Sequence, residues 1–385
     1  MAALGAAWAW VNTWAGALLI MGGIALVVLH LRWFARDRIL LTRVAAAVPP
    51  VPIRADTPKI SVLVAAWNEE AVIEAHIASF AALRYPHKHL ILCAGGADET
   101  YQRARRCATS MSDVPITVLE QQPGEGKQRA LQRCLAHADG ALIYLTDADC
   151  LFADAVLETL IAPLLDGSEQ VVTGTMRPWD AQLSSPLVLY VWLREVYIGV
   201  ARGAYTDGVL GANTALTRAA LVKTGAFAAE VRIGTDFHLA KSLIQHGYSI
   251  RYVRESVIQT TYSERLGDYR RRQARWLKNL VVHGASFGAR HEIRRGLMPT
   301  IIGIGMVIVL PVGALVSPLI AAAWALLFAH MIGRRVSYMT VGAQIANIRV
   351  PARVWLTLPI FTIIDLAVWA SVAWQYVDRR RLMRW

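Results

Sequence analysis

The sequence predicts an α/β domain built on a parallel sheet and flanked by membrane-spanning helices. Three observations predict it. Short β-branched runs alternate with helix-length stretches between residues 59 and 146. Long apolar segments bracket this polar middle on both sides. The 385-residue chain is 55% hydrophobic and only 18% charged, an excess unusual for a soluble protein.

The first apolar segment, residues 13–31 (TWAGALLIMGGIALVVLHL), carries no acidic or basic side chain except His30. Residues 297–332 and 354–377 are similarly apolar, broken by His330 and Asp365. A helix of about 20 apolar residues crosses a bilayer, so each region is long enough. No basic region precedes the first segment and no small-residue cleavage site follows it, which argues against a cleaved signal peptide. Arg32, Arg36, Arg38 and Arg43 follow directly. By the positive-inside rule this places residue 1 outside and the next domain in the cytoplasm. Cys93, Cys107, Cys134 and Cys150 lack metal-ligand spacing, and reduced thiols suit that compartment.

The formal charge of +12 raises nucleic acid as a partner. The basic residues, however, gather beside the apolar segments, at Arg270–Arg272 and Arg275, Arg294 and Arg295, and Arg379–Arg381. Attraction to anionic headgroups explains this placement better, and no zinc-finger or aromatic RNA-binding signature is present.

Residues 44–58, with four prolines, read as an extended linker. Then the runs 59–66, 89–94, 115–120 and 141–146 read as strands, separated by helical stretches over 69–83, 97–110 and 126–138. Such alternation indicates a parallel sheet with crossover helices. Ligands bind such sheets beyond the carboxyl ends of the strands, here residues 65–68, 94–98 and 147–149. Farther on come a long amphipathic stretch (186–202), a helix from Asp236 to Gln245 and short strands near 249–260. Residues 264–290 read as an amphipathic helix on the membrane surface, with Leu266, Tyr269, Trp276 and Leu277 beside its arginines. The domain (59–263) is thus expected between an N-terminal span with its basic flank (1–43) and linker (44–58), and an interface helix (264–296) leading to C-terminal spans (297–385). Arg334, Arg335, Arg349 and Arg353 make 333–353 read as a loop.

Asp147-Ala148-Asp149 closes the buried run ALIYLT. Two carboxylates at i and i+2, leaving a strand, can meet one diphosphate-bound cation such as Mg²⁺ or Mn²⁺. The alternative is a turn in which an Asp caps the following helix. Asp236 opens a predicted helix, where it could serve only as a charge on the helix dipole. His238 has no second His at metal spacing. Asp365, inside an apolar segment, marks either an acceptor path or a helix contact.

In order, ISVLVAAWNEE (60–70), GEGKQRALQ (124–132), TDAD (146–149), GANTALTRAAL (211–221), TD (235–236) and RRQARW (271–276) resemble family-2 glycosyltransferases. The similarity runs over roughly residues 59–290 and points to the membrane-bound members, which include cellulose, hyaluronan, chitin and glucosylceramide synthases. It implies a GT-A-like, Rossmann-like nucleotide-sugar-binding domain. Ala66, Trp67 and Glu69 would line the base and ribose pocket, Lys127 would meet the donor phosphates, Asp147 would sit near the ribose, and Asp149, with Asp147, would hold Mn²⁺ or Mg²⁺. Asp236 would be the base of an inverting transfer. Arg275 would bind the diphosphate and Trp276 would pack at the acceptor entrance. Two departures stand out. Arg272 occupies the usual Gln position of the RW motif. Cys93-Ala94-Gly95-Gly96-Ala97-Asp98 replaces the family's acidic pair, so Asp98 is expected to take the base contact from a displaced position, with UDP the favoured base.

The expected activity is transfer of a sugar from a nucleotide sugar to a membrane lipid or lipid-linked acceptor, at a bacterial-type plasma membrane. Two rivals are a processive polysaccharide synthase, for which three or four spans make a scant pore, and an inactive membrane scaffold. Retention of Asp147, Asp149, Asp236 and Arg275 argues against the second.

Overall fold

In the computed structural model the described residues are 2–44, 57–231 and 233–377, with side chains described from Thr13 onward and not for residues 43 and 44. The expected linker lies outside them except for its ends, as does the basic run Arg379–Arg381. Helix α1 (Ala2–Val44) leads into the domain. There follow β1 (Ile60–Trp67), α2 (Ile73–Ala81), β2 (Lys88–Gly95), α3 (Thr100–Ser110), β3 (Ile116–Glu120), α4 (Gly126–Ala136), β4 (Leu142–Asp147) and α5 (Asp154–Leu165). The second half comprises β5 (Val171–Pro178), α6 (Pro186–Arg202), β6 (Tyr205–Thr206), β7 (Thr214–Thr217), α7 (Arg218–Lys223), α8 (Thr235–Gln245) and β8 (Ile250–Thr260).

The eight strands form one sheet in the order β3-β2-β1-β4-β7-β5-β8-β6. Strands β1–β4 are parallel as expected. Strand β7 is not: it runs antiparallel between β4 and β5, so the sheet is mixed. Only four residues long and entered from a loop, β7 has neither a crossover helix nor a long alternating run to announce it. The short strands expected near 249–260 are one strand, β8.

Alternation along β1 builds both layers of the core. Ile60, Val62 and Val64 pack with Ile77 and Phe80 of α2 and Leu160 of α5. Leu63 packs on the other face with Leu131 of α4 and Leu239 of α8. With both faces covered, the strand ends are the exposed edge left for a ligand.

After β8 come α9 (Leu266–Ser286), α10 (Arg290–Ile304), α11 (Leu310–Ala314), α12 (Pro318–Ile345) and α13 (Ala352–Val377). A π-helical turn, Gly305–Val309, joins α10 to α11 just before Pro311, which has no N–H to continue the α pattern. Four helical stretches are long and apolar enough to cross a membrane: 13–42, 290–314, 318–345 and 352–376.

Two boundaries differ from expectation. The span expected from 297 begins at Arg290, because the basic turn of α10 is continuous with its apolar part. The stretch expected as a loop over 333–353 is helical through Ile345, with Arg334 and Arg335 inside it. Arg335 is buried there because Asp365 of α13 accepts its Nη2–H at 2.9 Å, a partner 30 positions away that local hydropathy cannot register. Asp365 also accepts hydrogen bonds from Tyr190 of α6 and Tyr269 of α9, and Arg194 lies 3.6 Å away. It is a helix contact that ties the domain to three of its flanking helices.

Helix α9 is not an isolated surface helix either. Ala274 and Leu277 pack against Val368 and Val372 of α13, while Arg270, Arg271 and Trp276 stay exposed. A second tie joins α8 to α10: Lys241 pairs with Glu292, both buried, and the ammonium also donates to the Asp207 carbonyl at 3.0 Å. Removing one member of a buried pair leaves the other charge uncompensated. Glu292→Gln is therefore expected to destabilise the protein by about 3–5 kcal/mol, read from denaturant midpoints in detergent. A change below about 0.5 kcal/mol would mean that Arg295 and Asp207 rebalance the cluster.

Candidate active site

The site forms where β1, β2 and β4 end. Asp147 is the last residue of β4, and Asp149 follows in the loop. That loop is pinned from beneath: His76 of α2, fully buried, bonds the Cys150 carbonyl through Nδ1 at 2.7 Å. Burial holds His76 neutral, with its pKa lowered to about 4, so Nδ1–H is the donor. Sequence reasoning did not find this support, since a lone His on an apolar helix face carries no local signal.

Lys127 enters from the first turn of α4. Its ammonium meets Asp147 Oδ1 at 2.6 Å and lies 3.9 Å from Asp236 Oδ1. Burial works against the ammonium, but Asp147 and Asp236 outweigh it and hold its pKa above the ordinary lysine value. Burial likewise opposes the Asp147 carboxylate, yet Lys127, with Arg272 and Arg275, keeps its pKa below the usual range.

Asp236 sits in the first turn of α8, where Gly234 turns the chain with φ +68°. A Cβ at Gly234 would meet His283 Nε2 at 2.7 Å, so conformation and space both require glycine. Opposite, a Cβ at Gly211 would lie 2.4 Å from Asp236 Oδ1, so the GANTAL loop abuts the carboxylate. Asn213 anchors that loop, accepting from Tyr144 Oη at 2.9 Å and donating to the carbonyls of Thr175 and Ser256, each at 3.0 Å. Burial pushes the Asp236 carboxyl up, Asp147 adds to this, and Lys127 and Arg275 oppose it.

A second carboxylate group faces the β1 and β2 ends. Glu69 is pushed up to about 7, first by burial and then by Asp149, Asp147 and Asp98. Asp149 is also raised, by burial and by Asp147. Crowded carboxylates that resist ionising together fit a hard divalent cation, which would relieve their repulsion. Asp149 is the better-placed ligand, because Lys127 already takes one oxygen of Asp147. Asp207, His291 and Glu292 also approach one another, but Lys241 and Arg295 already bind these acids. His238 lies in an aromatic group with His283 and Phe287 instead.

Asp98 is bound within the loops. It accepts the N–H of Glu70 at 3.2 Å and of Thr100 at 3.1 Å, and the Thr100 hydroxyl at 2.7 Å. Burial raises its carboxyl, but these bonds prevail and its pKa is lowered. Trp67 is 37% exposed at the end of β1. Ala66 departs from expectation: it is fully buried within the core, facing the α2 and α5 layer, so only its backbone is available to a ligand. A strand covered on both faces gives no local sign of which residue points where.

Asp147, Asp149, Asp236, Arg275 and Trp276 line one cavity of about 1620 Å³. It extends past Arg194 and Arg272 to Met306, Leu327 and His330 among the apolar helices. Burial and Arg272 lower the Arg275 pKa, while Asp236 and Asp147 oppose this.

A mixed α/β sheet with an acidic strand-end loop and flanking apolar helices is a GT-A-like glycosyltransferase fold. The family described as Glycosyltransferase like family 2 matches residues 58–279, more than half of the chain. The chain belongs to glycosyltransferase family 2. An N-acetylglucosaminyltransferase of Rhizobium meliloti strain 1021 is 23% identical over 249 residues, covering 61% of this chain and 58% of that protein. A Neorhizobium galegae N-acetylglucosaminyltransferase is 24% identical over 238 residues, 58% of this chain and 54% of that one. The chain thus spans little more than half the length of these curated relatives. Among solved structures, mannosyltransferase PcManGT from Pyrobaculum calidifontis, in complex with GDP-Man and Mn²⁺, is similar with a TM-score of 0.55. It is 22% identical, over 91% of this chain and 97% of that one, and the likeness is one of fold.

Proposed function

We propose that this protein is an inverting glycosyltransferase that moves a sugar from a nucleotide diphosphate, UDP first, to a membrane lipid or lipid-linked acceptor. One observation carries the reading: a single cavity joins the Lys127–Asp147–Asp236 cluster to the apolar helices. In this reading Trp67, Glu69 and Asp98 border the nucleotide. Lys127 and Arg275 hold the diphosphate as point charge and fork. Asp149, with Asp147, would hold Mn²⁺ or Mg²⁺, which would neutralise the departing diphosphate. Asp236 takes the proton of the acceptor hydroxyl as its oxygen bonds the anomeric carbon and the bond to the diphosphate breaks. Trp276, 40% exposed, borders the acceptor entrance. The four apolar helices and their arginines support a membrane setting with the domain cytoplasmic.

The test is incubation of detergent-solubilised protein with labelled UDP-glucose, UDP-N-acetylglucosamine or GDP-mannose and a native lipid extract. Label passing into the lipid phase from at least one donor is expected. Label released only as free sugar would overturn the acceptor assignment, and long polymer on a gel would favour the processive synthase.

The exposed and inward arginines of α9 should separate in the same assay. Arg275→Ala is expected to lower turnover on every acceptor. Arg270→Ala and Arg271→Ala should weaken association with anionic liposomes by about 1 kcal/mol each and leave turnover in neutral detergent near wild type. Equal losses for all three would remove Arg275 from the donor site.

A further inference from the structure

Among the described residues, one arginine that lines the cavity makes no direct ion pair. The guanidinium carbon of Arg334 of α12 lies over Trp33 of α1 and Tyr338, 3.7 Å and 4.7 Å from the ring centres. Its Nε and Nη1 are buried without a hydrogen-bond partner, and its Nη2 reaches only the Tyr197 hydroxyl at 3.4 Å. Among the described residues no carboxylate lies within ion-pair distance of it. Asp365 is paired with Arg335 and Arg194, and Asp37 accepts from Ser337 and from the same Tyr197 hydroxyl that Arg334 reaches. His330, one turn earlier, lines the same cavity and also leaves its Nδ1 buried and unpartnered. Buried donors left unsatisfied cost free energy unless something binds them.

What would bind is constrained from two sides. A guanidinium with two unpartnered nitrogens suits an anion with several acceptor oxygens, which a phosphate supplies. Met306, Leu310 and Leu327 line the cavity beside them, on helices apolar enough to cross a membrane. An amphiphile satisfies both conditions and a free anion satisfies only one. We propose that Arg334, with His330, binds the phosphate headgroup of a lipid whose chain lies along α10 and α12. This deepens the acceptor assignment above and rests on it for one point only, that the bound lipid is the sugar acceptor.

The probe is ³²P-labelled dodecyl phosphate, bound at equilibrium to the full chain in a non-ionic detergent, with dodecanol and inorganic phosphate as competitors. Dodecyl phosphate is expected to bind at least about tenfold more tightly than either competitor, the range a charge-assisted hydrogen bond provides. R334Q should lower that affinity about tenfold or more while UDP affinity is unchanged, and R334K should recover part of it. Unchanged probe affinity in R334Q would overturn the proposal, as would inorganic phosphate competing as well as the dodecyl ester, which would make this a free-anion site. If R334Q does not accumulate, R334K carries the test: loss of the guanidinium's forked donors should lower affinity several-fold, and wild-type affinity would count against the site. Failure of the two readings is distinguishable. Binding through Arg334 without sugar transfer to any lipid would remove the acceptor role and leave the lipid site. Transfer to lipid with no phosphate preference would remove the lipid site alone.

Discussion

Asp236→Asn is expected to lower turnover by about 10²–10⁴-fold, the usual contribution of a positioned general base, while UDP affinity stays within about twofold. The carboxylate lines the cavity, and one oxygen lies 3.9 Å from the Lys127 ammonium. Asn has nearly the same shape, so the close approach to Gly211 and the first turn of α8 survive the change. What is lost is a group able to accept the acceptor proton. Lys127 keeps its 2.6 Å contact to Asp147, so that pair remains charged and ordered. The measurement is single-turnover transfer beside equilibrium UDP binding on the same preparation. A fall in affinity as large as the fall in rate would recast Asp236 as a donor-binding residue and require another base.

The second large effect concerns the cation. Asp149→Ala, or EDTA treatment of the wild type, is expected to reduce transfer about a hundredfold or more, since Lewis-acid stabilisation of a leaving diphosphate is worth several kcal/mol. The expectation follows from the crowding of Asp149, Asp147, Glu69 and Asp98, where burial first and then the neighbouring carboxylates push Glu69 up to about 7. Mn²⁺ added after EDTA should restore the wild type and not Asp149→Ala, and Mn²⁺ paramagnetic resonance should report weaker binding by the variant. Transfer at full rate in EDTA would remove the metal from the reading. Full rate in Asp149→Ala alone would move the ligand to Asp147 or Glu69.

Much of the strand-end cluster was legible from short stretches of chain. ISVLVAAW and ALIYLT are buried on both faces and can only be interior strands, so their ends had to form the ligand edge. Asp147, Asp149 and Asp236 stand at element boundaries where side chains emerge. Lys127 follows the glycines that turn the chain into α4. In each case the signal is carried by neighbours within a few positions.

The part of the cavity among the apolar helices was not legible in this way. RR at 334–335 reads as loop because hydropathy scores a charge without its partner, and Asp365 is 30 residues on. Ala66 is expected in the pocket from the family resemblance, and the alternation of a doubly buried strand does not say which way its side chain points. β7 reads as nothing because four residues have no period. The sequence by itself determined the alternation of strands and helices, the apolar helices and the acidic strand ends, since periodicity and hydropathy act between near neighbours along the chain. Only the tertiary structure decided which carboxylates share Lys127, why Arg335 can be buried, and that one cavity runs from Asp236 to Arg334. Charge compensation and enclosed space arise between elements that meet only after folding, and the interaction of two charges depends on their separation in space rather than in sequence.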